Sequence, residues 1–206
     1  MGQRRFLTGL TSGNHRERSD RNKRLDAIVF MIVGPHSGFS LGTIFEMKRQ
    51  EEARLGYFYW GYAGTLCYPP RVCEFVSDSM SRIGRAPKVV MVETKSEYKS
   101  TAVGRVQRWS IDRKQYQRIP AGVTLIGCTI AVTCSNLTLC DQPLDLNRYV
   151  VMNGNVATSR LGHFVRYQIN KACAILEECE PALPPREVRL VATADLVDPY
   201  CIYLAE

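Results

Sequence analysis

The sequence predicts an α+β protein in which a mixed, mostly antiparallel sheet of about seven strands packs with two helices. Short apolar runs rich in β-branched residues recur along the chain, as is typical of strands. Two longer segments place apolar residues at helical spacing. No linker long enough to separate two domains interrupts the 206 residues, of which 45% are hydrophobic. We therefore expect a single domain over residues 26–206.

The first 25 residues differ from this domain because they are rich in cations and poor in apolar side chains. Such a segment cannot by itself bury enough apolar surface to offset the entropy of ordering, so we expect a flexible basic arm over residues 1–25. The formal net charge of the chain is +7, and most of it belongs to this arm. The arm cations are Arg4, Arg5, Arg16, Arg18, Arg21, Lys23 and Arg24.

The first part of the domain is predicted to contain three strands and one helix. A continuous apolar run over residues 26–34 predicts a buried strand. Residues 42–47 and 57–62 have strand-like composition, and the charged connection between them predicts an antiparallel hairpin with a longer loop. Residues 69–84 predict the first helix, because Pro70 suits its first turn and apolar residues recur at helical spacing.

The second part is predicted to contain the second helix among further strands. This helix is expected over residues 159–179, with Ser159 as its N-cap and an apolar stripe along one side. The remaining strands are predicted over residues 88–94, 105–112, 123–134, 147–153, 187–194 and 200–205.

The sequence YFYWGY, residues 57–62, raises the question whether its aromatic rings form a ligand surface or only a core. On a strand, Tyr57 and Tyr59 share one face. Phe58 and Trp60 share the other face. One face must belong to the core, and the two tyrosines could then offer a platform on which a nucleic-acid base stacks. Packing of the strand on both faces is the alternative.

A second basic segment, residues 95–118, mixes cations with aromatic side chains. Cations interleaved with aromatic rings are what a sequence-tolerant nucleic-acid surface requires, and cations on a flexible arm attract phosphates by counterion release. A solvated loop face is the alternative for this segment. Its residues predicted to bind nucleic acid are Arg105, Arg108, Trp109, Arg113, Lys114 and Arg118.

Cys67 is the best candidate for a nucleophile, because a thiol just ahead of a helix N-terminus lies in a field that favours the thiolate. His36 and His163 are the candidate bases for a Cys-His enzyme. This alternative predicts a pocket closed by residues 34–42 and 61–70. No signature of a cysteine hydrolase surrounds Cys67, and the cysteine spacing does not suit a zinc knuckle, so no metal or other cofactor is predicted.

These patterns favour a small non-enzymatic binding or regulatory protein that contacts nucleic acid or a nucleoprotein complex. Two other functions stay open: the Cys-His enzyme, and an interaction subunit of a larger assembly whose exposed aromatic residues bind a protein partner. The sequence contains no run of 18 apolar residues and no secretory signal. We therefore expect a cytoplasmic protein that makes no membrane contact.

Overall fold

The computed structural model describes residues 25–63, 67–94, 104–153, 156–165, 170–177 and 183–206. In these ranges the protein is α+β, as predicted, but it has ten strands and three α-helices rather than about seven and two. The strands are β1 (Ala27–Val33), β2 (Phe58–Tyr62), β3 (Lys88–Glu93), β4 (Arg108–Ser110), β5 (Gln117–Arg118), β6 (Ile130–Asp145), β7 (Tyr149–Asn153), β8 (Val156–Arg160), β9 (Lys171–Leu176) and β10 (Glu187–Ala205). The helices are α1 (Leu41–Leu55), α2 (Pro69–Ile83) and α3 (Leu161–Val165).

The sheet is mixed and mostly antiparallel. Its order is β2-β6-β10-β3-β1-β9-β7-β8, and β4 extends it by pairing with β10 and β5. Only β1 and β3 pair in parallel among the described strands. Their connection includes α1, β2 and α2, since a parallel neighbour requires a crossover. No helix of the described ranges is long and apolar enough to cross a membrane.

Helix α2 forms where the sequence predicts it. Pro69 occupies the start of the helix, where a missing backbone donor costs nothing. Gly84 ends it with φ 75°, and its amide donates to the carbonyl oxygen of Met80 at 3.1 Å. Val72 and Phe75 are buried against the sheet. The residues that mark both ends of this helix are adjacent to it in sequence, so its ends can be predicted without knowledge of the tertiary structure.

The predicted hairpin of residues 42–47 and 57–62 is wrong, because the first segment belongs to α1. Ser40 caps this helix by accepting a hydrogen bond from the amide of Thr43 at 3.1 Å. Phe45 is buried under the helix against the sheet. Strand β2 pairs instead with β6, which follows it by almost seventy residues.

The predicted helix over residues 159–179 is also wrong. Among the described residues, helix α3 covers Leu161–Val165, and strand β9 begins at Lys171. Strand β9 lies between β1 and β7 and is hydrogen-bonded to both. Its three central residues are buried, since the sheet is covered on both faces there. A strand of this kind lacks the polar alternation that distinguishes a strand from a helix in sequence.

The strand predicted over residues 123–134 begins at Ile130 as β6 and continues to Asp145, and together with the long β10 it joins two parts of the sheet. The two predicted C-terminal strands are one strand, β10, which contains a cis bond between Asp198 and Pro199. The register between β6 and β10 shifts between Leu196 and Cys201. Before this shift β10 pairs with β3, and after it β10 pairs with β4. The shift therefore brings the β4–β5 hairpin to the end of the main sheet.

The buried side chains form three clusters. A helix-face cluster includes Met31, Phe45 and Val72, and an opposite-face cluster includes Phe30 and Leu161. Residues 29, 31 and 33 of β1 contact the first and residues 28 and 30 the second, as expected from strand alternation. The third, the hairpin cluster, comprises Tyr59, Val106, Val123, Leu125, Ala131, Ile202 and Leu204.

Candidate functional site

The predicted nucleic-acid-binding residues divide into those of the arm and those of the domain. The arm cations lie outside the described residues: Arg4, Arg5, Arg16, Arg18, Arg21, Lys23 and Arg24. Those of the domain all lie on β2, on the β4–β5 hairpin or beside it. The β4–β5 hairpin therefore carries most of the predicted nucleic-acid-binding residues that the structure describes.

The β4–β5 hairpin is stabilised by hydrogen bonds in its turn. The side chain of Asp112 accepts from the amides of Lys114 at 2.8 Å and Gln115 at 3.2 Å. Ser110 Oγ accepts from the amide of Arg113 at 2.9 Å. These amide donors hold the pKa of the Asp112 carboxyl below its ordinary value, the Lys114 amide contributing most. The only carboxylate of the hairpin is therefore ionised and satisfied within the turn.

Two arginines face each other across this hairpin. Arg108 on β4 is directly opposite Arg118 on β5, and both are exposed. Together with the exposed Arg105 they line one groove of about 510 Å³, which we call the arginine groove. Like charges directly opposite one another destabilise a strand pair. Arg108 donates from Nε and Nη2 to the carbonyl oxygen of Glu206 at 3.2 and 2.9 Å, which leaves its other donors open. A bound anion could accept from these donors and relieve the remaining repulsion.

A further arginine, Arg54 of α1, contacts Gly122 at the edge of the groove without lining it. Gly122 lines the groove and has φ 78°. The space that a β-carbon would occupy there is filled by the guanidinium of Arg54, at the last turn of α1. Gly122 therefore permits both a left-handed backbone and the close approach of this cation. Three arginines thus line the groove, and Arg54 lies next to it.

Aromatic rings hold two of the hairpin cations in place. The guanidinium of Arg108 lies 5.7 Å from the ring centre of Tyr116, which is 40% exposed. The guanidinium of Arg113 lies 4.1 Å from the ring centre of Tyr203. Lys114 is exposed beside them. Cation–π contacts of this kind restrict the guanidinium planes while leaving donors available to a ligand.

The aromatic strand β2 is packed on both faces. Tyr59 is 2% exposed and lies in the hairpin cluster, and burial raises its pKa. Tyr57 is half-buried, with its ring 5.3 Å from that of Tyr59 in an edge-to-face arrangement. Phe58 belongs to the helix-face cluster. Tyr59 therefore has no free face for a base, and it supports the hairpin from below together with the half-buried Trp109.

Cys67 and His163 are not brought together. Cys67 is 1% exposed in the helix-face cluster, where its carbonyl oxygen accepts a hydrogen bond from the Tyr62 hydroxyl. Its sulfur contacts the thiol of Cys173. Leu161, two residues before His163, packs in the opposite-face cluster. The thiol and this imidazole thus belong to different sides of the sheet, and the thiol is screened from solvent.

His36 lines a cavity of about 310 Å³, which we call the Lys171 cavity. Its walls come from the loop after β1, from α1, from the end of β2, from residues 124–128 and from the start of β9. His36 Nε2 lies 3.2 Å from the carbonyl oxygen of Ile126. Both predicted pocket segments contribute to these walls, residues 34–42 and 61–70, but Cys67 is not among the lining residues.

Lys171 is the residue of this cavity that the sequence did not indicate. It was assigned to the apolar second helix, whereas it begins β9 and lines the cavity. Its ammonium lies 5.0 Å from the ring centre of Tyr62. Burial lowers the pKa of this amine to about 8. The single cation at the start of the run KACAIL is the signal that could have identified it.

Comparisons of the chain with protein families, with curated proteins and with solved structures found no match. Within the described ranges, no three His, Cys, Asp or Glu side chains are grouped so that they could hold a metal ion. The seven cysteines of those ranges are all free thiols. In this part of the chain, the arginine groove is lined by three exposed arginines, and the Lys171 cavity contains a lysine that forms no ion pair.

Proposed function

We propose that the protein is a non-enzymatic binding protein that holds the phosphate backbone of nucleic acid, free or within a nucleoprotein complex, in the arginine groove. The direct opposition of Arg108 and Arg118, with Arg105 on the same wall, carries this proposal. A phosphate between the two guanidinium groups would replace repulsion by charge-assisted hydrogen bonds. Such a contact would offset the electrostatic cost of placing Arg108 directly opposite Arg118.

A polyanion suits this surface better than a single small anion. Residues 104–123 contain five cations against Asp112 alone, and all five are exposed. These cations are distributed over both strands and the turn, so one phosphate could not reach them all. The basic arm of residues 1–25 would add cations that need no fixed position to attract phosphates. Several phosphates in a row match this distribution.

The surface favours contact with the backbone rather than reading of bases. Arginine and lysine bind phosphate oxygens without regard to sequence. Tyr59 is buried and cannot stack, so Tyr116 is the exposed ring beside the groove on which a base could lie. We therefore expect binding that tolerates changes of sequence and weakens steeply as salt is added.

The test compares the Arg108→Gln/Arg118→Gln double variant with wild type, using fluorescence anisotropy of a labelled mixed-sequence oligonucleotide over a range of salt concentrations. Neutralising both groove arginines is expected to weaken binding about tenfold or more at low salt. The slope of log K against log salt should fall by about one to two. DNA and RNA oligonucleotides are measured in parallel.

The matched control is Arg49→Gln/Arg82→Gln, which removes the same charge from exposed positions on α1 and α2. This control should bind within about twofold of wild type. Equal affinity and equal salt slopes for the groove variant and wild type would refute the proposal. Equal losses in both variants would refute it as well, since binding would then depend on net charge alone.

A further inference from the structure

The Lys171 cavity combines largely apolar walls with two lysines, of which Lys48 is paired with Glu51. Trp60 and Tyr62 contribute aromatic rings to its wall, and Ile44, Met47 and Leu125 contribute aliphatic surface. Its volume of about 310 Å³ lies at the lower end of the range for small-molecule sites. Such a cavity is large enough for a small flat molecule.

Lys171 has no acidic partner in the described part of the chain. None of the ion pairs found there involves its ammonium. The ammonium faces the ring of Tyr62 at 5.0 Å, and Cys67 lies close enough to interact with it electrostatically. A cation placed in a largely apolar enclosure without a carboxylate attracts an anion from solution.

The other titratable groups of the wall do not supply that anion. Lys48 is bonded to the buried Glu51 at 2.9 Å, so this carboxylate already has a counter-ion. Burial raises the pKa of the Cys128 thiol to about 11, so it adds no negative charge near neutral pH. Burial raises the pKa of the Tyr62 hydroxyl as well, so it is neutral there, and His36 is the remaining titratable side chain of the wall. The cavity is therefore positive at neutral pH.

We propose that the Lys171 cavity binds a small organic carboxylate with a flat apolar body, and that Lys171 is the counter-ion of its carboxylate. The carboxylate would restore to the ammonium the polar contact that burial has removed. The apolar body would lie between the aromatic and aliphatic walls, where its transfer from water is favourable. Asn170 and Ser37 also line the cavity and offer polar groups to the carboxylate's second oxygen.

This site is separate from the arginine groove. The groove is lined by residues 105–108 and 118–123, and the cavity by residues of the loop after β1, α1, β2, residues 124–128 and β9. Leu125 lines the cavity and Val123 lines the groove, although only one residue separates them in the chain. Failure of oligonucleotide binding would leave the carboxylate site untouched, and the reverse also holds.

The experiment is calorimetric titration of the whole protein with benzoate, 2-naphthoate and indole-3-acetate, each paired with its neutral amide. Removal of the ligand's charge tests the ion pair without altering the protein. At least one carboxylate is expected to bind saturably and about tenfold more tightly than its amide. Lys171→Met should remove this preference while leaving the amide's affinity unchanged, and Lys171→Arg should retain part of it.

Two controls keep the outcome interpretable. Lys114→Met makes the same substitution on the exposed hairpin and should bind the carboxylate as wild type does. In a Trp109→Phe background Trp60 is the only tryptophan, so quenching of its fluorescence places the ligand in the cavity. Absence of saturable binding by all three carboxylates would overturn the proposal. So would equal affinity for acid and amide, or unchanged carboxylate binding in folded Lys171→Met.

Discussion

At the scale of single residues, Lys171 shows how burial changes the chemistry of a side chain. An exposed lysine is charged at every physiological pH, whereas the apolar surroundings of this one lower its pKa from 10.5 to about 8. The arginines of the groove do not change in this way, because a guanidinium keeps its proton. The protein therefore has a fixed cationic surface on the hairpin and a titratable cation in the cavity.

Lys171 is expected to make stability depend on pH. Its folded-state pKa lies below the unfolded value, so the cost of burying the charge is fully present below about pH 8 and vanishes as pH rises past 10.5. Lys171→Met should therefore be as stable as wild type or more stable at pH 7, by up to about 3 kcal/mol. Urea denaturation between about pH 7 and 10 measures this.

The matched variant is Lys171→Arg, which keeps the charge through this pH range and should show no gain in stability. The difference in unfolding free energy between wild type and Lys171→Met should shrink as pH rises above 8. A clear loss of stability in Lys171→Met at pH 7, or a difference independent of pH, would contradict the expectation.

At the scale of elements, Glu51 of α1 forms a buried ion pair within its own helix and also binds the backbone of β2. Lys48 and Glu51 are 6% and 4% exposed, and their side chains are 2.9 Å apart. The other oxygen of Glu51 accepts from the backbone amide of Tyr59 at 2.6 Å. One carboxylate thus satisfies a lysine of its own helix and a backbone donor of the neighbouring strand.

Removing one partner of this pair is expected to cost more than removing both. Glu51→Ala should lower the free energy of unfolding by about 3 kcal/mol or more, because Lys48 and the Tyr59 amide both lose a buried partner. The double variant Lys48→Met/Glu51→Gln keeps an acceptor for the amide and should recover most of the loss. Urea titration of Lys48→Met, Glu51→Gln and their double variant, beside Glu51→Ala, gives the coupling energy.

Salt bridge Arg82–Asp78 on α2 provides the comparison. It joins the same types of charge within one helix, with the arginine side chain 51% and the aspartate side chain 15% exposed. Arg82→Met should change stability by less than about 0.5 kcal/mol. A double Lys48–Glu51 variant that is less stable than Glu51→Ala would show that the pair does more than satisfy its own charges.

The elements also show where sequence reasoning succeeds. Helix α2 was predicted because Pro70 and Gly84 mark its ends locally. Helix α1 was missed although Ser40 and Gly56 cap it, because β-branched Thr43 and Ile44 at its start resemble a strand. In that case the capping residues were the better signal.

At the scale of the whole molecule, long-range pairing decided what the sequence could not show. Strand β9 is a strand because β1 and β7 flank it, and that pairing joins residues far apart in the chain. The sequence did not reveal Lys171 as a cavity residue for the same reason. Its contact with Tyr62, more than one hundred residues earlier in the chain, depends on how the strands pair. The hairpin cations were predicted from composition, yet the opposition of Arg108 and Arg118 depends on strand register.

The division of charge between arm and hairpin leads to the last prediction. We expect the seven cations of residues 1–25 and the groove arginines to contact different phosphates of one oligonucleotide, because one phosphate cannot accept from all of them. Replacing the arm cations by Gln should weaken binding and flatten its salt dependence. Combining this change with Arg108→Gln/Arg118→Gln should add the two losses in binding free energy.

Anisotropy titrations of the four proteins at several salt concentrations test this additivity. If arm and groove bind separate phosphates, the salt slopes lost in the two variants sum to the slope lost in the combined variant. A combined loss no larger than the loss from the arm alone would mean that the groove contributes nothing once the arm is neutral. That result would assign phosphate attraction to the arm and leave the opposed arginines of the hairpin without a role in nucleic-acid binding.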